Sequence, residues 1–136
     1  MNISFCFIVK DGEKYLERNL SRIVDISEKK FNSYKIFYVE NDSVDSTKEI
    51  LELYCRNNKN ISGVSLKLDG KHSLDLCKDS IIYNCSARTR RISYLRNVVL
   101  NLSKKWECDF IVMLDLDFID FDENEFMKMI NIIKKK

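Results

Sequence analysis

A chain of 136 residues is the size of one ordinary domain, so residues 1–136 are expected to form a single unit around one core. Hydrophobic residues at 45%, charged residues at 32% and a net charge of +2 describe a soluble globular composition, with no broad field to draw nucleic acid or an anionic membrane. No apolar run approaches the roughly 20 residues of a membrane span, and Met1-Asn2-Ile3-Ser4 lacks the basic segment and cleavage site of a secretory signal, which predicts a cytoplasmic chain.

The run Ile3-Ser4-Phe5-Cys6-Phe7-Ile8-Val9 is nearly all apolar and of strand length, predicting a central strand buried on both faces. Asp11 is placed to cap a helix over Glu13 to Val24, on which Leu16, Leu20, Ile23 and Val24 share one face. Ile36-Phe37-Tyr38-Val39 reads as a second strand. Ser46 with Glu49 makes a capping box for a second helix, whose inner face is Thr47, Ile50, Leu51 and Tyr54. Val64, Leu66 and Leu68 alternate with polar residues, which suits a third strand at a sheet edge.

From about Asp69 to Ser86 no periodicity is clean, and a long loop is expected, with Ile81-Ile82-Tyr83 as a short apolar piece. A third helix over about Ala87 to Ser103 aligns Ile92, Leu95, Val99 and Leu102. It leads into Phe110-Ile111-Val112-Met113-Leu114, read as another buried strand. A last helix, about Asp122 to Ile133, is expected to bury Phe126, Met129, Ile130 and Ile133. Lys134-Lys135-Lys136 then forms a solvated helix end that complements the macrodipole.

Strands alternating with helices, with no proline and three glycines, imply βαβ units. The expected fold is α/β, a mostly parallel sheet with helices on both faces. Ligands of such sheets sit at the carboxyl ends of the strands.

Chemistry concentrates at those ends. Five scattered cysteines without a C-x-x-C pair, and one histidine, His72, argue against a disulfide framework, a zinc site or a thiol nucleophile, so a metal would have to use carboxylates. Asp115 and Asp117 close the fourth apolar strand two residues apart, a spacing that puts both carboxylates on one face. Such a pair suits Mg²⁺ or Mn²⁺, which takes one or two carboxylates plus phosphate oxygens. The plainer reading is a strand ending in a turn that tolerates Asp.

Glu40-Asn41-Asp42-Ser43-Val44-Asp45-Ser46-Thr47 follows the second strand. Capping accounts for Asp45 and Ser46, whereas Glu40 and Asp42 have the two-residue spacing of a ligand-facing pair. Arg88 extends the apolar stripe of the third helix, with Arg91 beside it, and a cation there needs an anion: either a carboxylate such as Asp115 or the phosphates of a ligand. Arg96 and Asn97 are expected to make ordinary hydrogen bonds on the helix flank.

Ile8-Val9-Lys10-Asp11-Gly12-Glu13-Lys14-Tyr15-Leu16, then Glu40 to Thr47, then Arg88 to Asn97, then Leu114-Asp115-Leu116-Asp117, in that order and spacing, resemble GT-A fold glycosyltransferases. The likeness covers essentially the whole chain. Arg91-Ile92-Ser93-Tyr94-Leu95-Arg96-Asn97 is similar to the arginine-rich helix of family-2-like members, including some from giant viruses, whose compartment would be the host cytoplasm.

The resemblance implies a Rossmann-like GT-A domain and a metal-dependent glycosyltransferase whose donor is a UDP- or GDP-linked sugar. It implies that Val9 and Asp11 border the nucleobase, that Asp42 contacts the nucleoside, that Arg88 and Arg91 lie near the donor, and that Asp115 and Asp117 bind Mn²⁺ or Mg²⁺; Glu40 is counted with the nucleotide-sugar-binding residues. The acceptor is open. About 19 residues follow Asp117 where the family carries an acceptor-building segment, so the chain resembles the donor-binding half. A homodimer or a partner chain, and a non-catalytic nucleotide-sugar-binding subunit, belong to the same expectation.

Two rival readings are weaker. Haloacid-dehalogenase-like phosphatases begin with the strand that carries their Asp pair and need later lysine and acidic residues. A dinucleotide-binding oxidoreductase needs more than the single glycine of Lys10-Asp11-Gly12-Glu13.

Overall fold

The computed structural model describes residues 1–68 and 84–136. The expected loop at 69–83, with Ile81, Ile82, Tyr83 and His72, lies outside the described residues. The elements are β1 (Asn2–Val9), α1 (Glu13–Lys30), β2 (Ser33–Asn41), α2 (Thr47–Asn57), β3 (Ile61–Leu66), α3 (Asn84–Ser103), β4 (Phe110–Met113) and α4 (Glu123–Lys134). The third helix therefore starts before Ala87, taking in Asn84 to Ser86 from the expected loop.

The four strands form one sheet in the order β3-β2-β1-β4, and every pairing is parallel. This is the expected α/β architecture. The chain moves outward from β1 to β3, then crosses back to place β4 on the other side of β1. Right-handed crossovers running in opposite directions must use opposite faces of the sheet. Accordingly α1 and α2 pack on one face, against Ile3, Phe5, Phe7, Tyr34, Ile36 and Tyr38, and α3 packs on the other, against Cys6, Phe37 and Val39. The order reverses between β1 and β4, the switch point at whose carboxyl ends open α/β sheets bind ligands.

β1 is the buried central strand that its apolar run predicts, with Ile3, Phe5, Cys6, Phe7 and Val9 all in the core. β3 lies at an edge, as its alternation predicts. β4 departs from expectation: it is the other edge strand among the described residues, and Ile111 is 43% exposed. Its short apolar run fits a buried or an edge strand equally well, because only pairing partners distinguish them.

α4 returns to the α1 face and buries Phe126 and Ile130, but Met129 and Ile133 face outward at 56% and 57% exposure. The expected four-residue stripe thus narrows to two residues, because this helix rests on one rim of the sheet. No described helix is long and apolar enough to cross a membrane.

Candidate functional site

The loops that leave β1 and β2 are laced together. Asp11 donates its backbone N–H to Ser43 Oγ (3.0 Å) and accepts the Val44 N–H on Oδ1 (2.8 Å). The Gly12 N–H reaches Thr47 Oγ1 (2.8 Å), the Glu13 N–H reaches Asp45 Oδ2 (3.2 Å), and Glu13 Oε2 accepts the Ser46 N–H (2.7 Å). A Cβ on Gly12 would lie 2.7 Å from Val9 Cγ2 and 2.8 Å from the Tyr15 hydroxyl, so only glycine allows this approach.

The lacing corrects two capping expectations. Gly12, not Asp11, occupies the α1 N-cap, and it makes no side-chain cap bond. Asp11 instead adopts φ 50°, in the left-handed region that aspartate tolerates better than most residues, and this turns its carboxylate across to the second loop. Ser46 stands at the α2 N-cap without a side-chain cap bond, so no box forms with Glu49; Asp45 Oδ1 takes the Thr47 N–H (2.9 Å) instead.

Val9 and Glu40 are partners across β1 and β2. Val9 is buried at the end of its strand. Glu40 is 3% exposed and its Oε1 accepts the Ser43 N–H (2.8 Å), so this carboxylate frames the loop from below. Asp42, at φ 49°, accepts the Leu68 N–H on both carboxylate oxygens (3.0 and 3.1 Å) and so ties the exit of β2 to the chain beyond β3.

Asp115 and Asp117 lie just past β4, not on it. Leu114 still donates its N–H to Cys6 O (2.9 Å), after which the chain turns and drives Leu116 into the core at 3% exposure. Both carboxylates, flanking that buried leucine, are consequently exposed. Their exposure therefore comes from a turn with an inward apolar residue, and not from the strand alternation expected.

Tyr15 reports where this pair sits. Its hydroxyl is pushed above its ordinary value first by burial and then by the negative charges of Asp117, Asp45, Asp11 and Asp115. Four carboxylates from three loops therefore act on one phenol in the first turn of α1. Among the described residues no cluster of three or more His, Cys, Asp or Glu side chains makes a ready metal cage. Two exposed carboxylates fit instead the open mode of Mg²⁺ or Mn²⁺, in which phosphate oxygens and water complete the coordination.

Positive charge comes from α3. Arg88 and Arg91 line a cavity of about 230 Å³ with Ile8, Val9, Lys10, Asn41, Ile92 and Leu95, above the ends of β1 and β2. Arg91 Nε is buried and has no hydrogen-bond partner among the described residues. A buried N–H on a cation without an acceptor is costly, and an anion in the cavity would satisfy it.

The partner of Asp115 is Arg96, with Nη2 3.4 Å from Oδ1, and not Arg88. The sequence places Arg96 on the helix flank, and that flank borders the loop after β4. The sequence assigns no role to Lys10 or Tyr15; Lys10 directly precedes the Asp11-Gly12 turn and Tyr15 lies three residues beyond Gly12, and that proximity is the signal available.

No protein-family model matches the sequence, and no curated protein matches it. Four solved chains match the structure. One is residues 1–349 of TarS from S. aureus, a staphylococcal glycosyltransferase, at a TM-score of 0.60 and 21% identity over 99% of this chain. The chain spans 33% of that TarS chain. The fold is accordingly a glycosyltransferase-like, Rossmann-type α/β fold, with a four-stranded parallel sheet flanked by helices. The neighbour is bacterial, so the giant-virus likeness draws no support from it.

Proposed function

We propose that this chain binds a nucleoside-diphosphate sugar together with Mn²⁺ or Mg²⁺ and presents the sugar for transfer. The observation that carries the reading is opposite charge gathered at the carboxyl ends of one parallel sheet: exposed Asp115 and Asp117 after β4, and the cavity over the ends of β1 and β2 lined by Lys10, Arg88 and Arg91, whose buried Nε has no acceptor among the described residues.

In this reading Asp117 is the principal metal ligand and Asp115 assists it. The ion neutralises charge on the diphosphate leaving group. Arg88, Arg91 and Lys10 take the remaining phosphate charge, Val9 and Asp11 border the base, and Asp42 contacts the nucleoside from the end of β2. Glu40 acts from beneath, holding the loop through Ser43. Donor binding is assigned to these residues; the acceptor lies outside the proposal.

Calorimetric titration of UDP, GDP and their sugar conjugates, with Mn²⁺ and with chelator, tests the reading. Metal-dependent binding of one base supports it and names the donor class. Equal binding with chelator would remove the metal, and no binding of any nucleotide would remove the donor site.

A further inference from the structure

α1 carries one residue that its amphipathic pattern does not explain. Asn19 sits among Leu16, Leu20 and Ile23 on the buried stripe and is itself only 1% exposed. An amide in that position is unfavourable unless its donors and acceptor are all satisfied.

All three are used, and they are used on the loop after β4. Nδ2 donates to Leu116 O and to Phe118 O (2.9 Å), the two carbonyls on either side of Asp117. Oδ1 accepts from Arg18 Nε (3.0 Å), and Arg18 Nη2 also donates to Phe118 O (3.0 Å). One turn further on, Arg22 Nη2 donates to Phe121 O (3.1 Å). The backbone of the loop therefore hangs on a polar edge of α1, and Asn19 is its one fully buried anchor among these three donors.

We propose that Asn19, supported by Arg18, is a positioning residue that fixes the direction of the Asp115 and Asp117 carboxylates. A short edge strand followed by a turn has little sheet pairing to hold it. Clamping the Leu116 and Phe118 carbonyls fixes the peptide unit that enters Asp117 and the one that leaves Phe118, which restricts the short stretch of backbone between them. This rests on the metal-binding role proposed above for Asp117, and it adds a residue that touches neither metal nor nucleotide.

The test compares Asn19→Leu and Arg18→Met with Leu20→Ala, a lesion at a fully buried neighbour on the same helix that makes no bond to the loop. Two quantities are read on the metal-free and Mn²⁺-titrated protein: amide exchange of residues 114–121 by mass spectrometry, and Mn²⁺ affinity by electron paramagnetic resonance. Asn19→Leu is expected to speed exchange in the loop and weaken Mn²⁺ binding by about 10-fold or more, the usual cost of losing an outer-shell partner. Arg18→Met, at an exposed position that folding tolerates, should shift both in the same direction by less. Leu20→Ala should lower the melting temperature while keeping Mn²⁺ affinity within about twofold.

If Asn19→Leu and Leu20→Ala alter loop exchange equally, or if Asn19→Leu leaves it unchanged, the positioning role is overturned. If the unmodified protein binds no Mn²⁺, the metal reading fails on its own, and the clamp is judged by loop exchange alone.

Discussion

Arg96 on α3 reaches Asp115 beyond β4, with Nη2 3.4 Å from Oδ1, joining the helix before that strand to the loop after it. The guanidinium occupies part of the field that a divalent ion at Asp115 and Asp117 would use. Arg96→Ala should therefore tighten Mn²⁺ binding by roughly twofold to fivefold, since one weak screened cation no longer competes. Because the two side chains are 44% and 69% exposed, unfolding stability should change by no more than about 0.5 kcal/mol. Isotherms of wild type and variant, with parallel denaturant melts, measure both. Weaker Mn²⁺ binding in the variant would mean that Arg96 orders the site and does not compete for it.

Asp117→Asn removes the charge from the proposed principal metal ligand while keeping its shape. Metal-dependent nucleotide affinity should fall about 10-fold or more, with an unchanged melting temperature because the side chain is exposed. Calorimetry with and without chelator reads the first quantity and a thermal melt reads the second.

Arg88 and Arg91 should separate by burial. Arg88 is exposed, so Arg88→Ala should lower nucleotide affinity without altering stability. Arg91 keeps a buried Nε without an acceptor among the described residues, so Arg91→Met should leave the nucleotide-free protein as stable or more stable, while still lowering nucleotide affinity. Melts with and without saturating nucleotide distinguish these outcomes. A strongly destabilised empty Arg91→Met would assign that arginine to the fold.

The lacing between the first two loops has a pH signature. Burial pushes the Asp45 carboxyl up, but the Thr47 hydroxyl and the Thr47 and Glu13 N–H groups outweigh it, leaving the group below its ordinary 3.8. A carboxylate depressed on folding stabilises the protein above its unfolded value and loses that contribution as pH falls through the folded one. Stability should therefore decline below about pH 4. Asp45→Asn should flatten that acid limb and lower the melting temperature at neutral pH. An acid limb identical to wild type would place the titration elsewhere.

Much of this architecture is legible in the sequence because apolar runs and stripes report burial directly: Ile3 to Val9 gives the central strand, and Leu16, Leu20 and Ile23 give the inner face of α1. What is not legible depends on neighbours distant in the chain. The edge position of β4, the outward turn of Met129 and Ile133, and the Arg96–Asp115 pair are set by which elements meet. Asn19 breaks its stripe visibly, but only the carbonyls of Leu116 and Phe118 explain why. Asp11 and Ser46 fit the chemistry of caps, yet the close approach of the two loops offered them other partners.

The site's central claim is that one metal joins the Asp115-Asp117 loop to a diphosphate held by α3. Anomalous diffraction at the manganese edge, from crystals grown with Mn²⁺ and the tightest-binding nucleoside diphosphate, tests it most directly. The account predicts one strong peak about 2.1 Å from an Asp117 carboxylate oxygen, the distance usual for a hard divalent ion of this size, with phosphate density running from it towards Arg88 and Arg91. A metal seated away from Asp117, or a nucleotide bound away from the carboxyl ends of β1, β2 and β4, would contradict it.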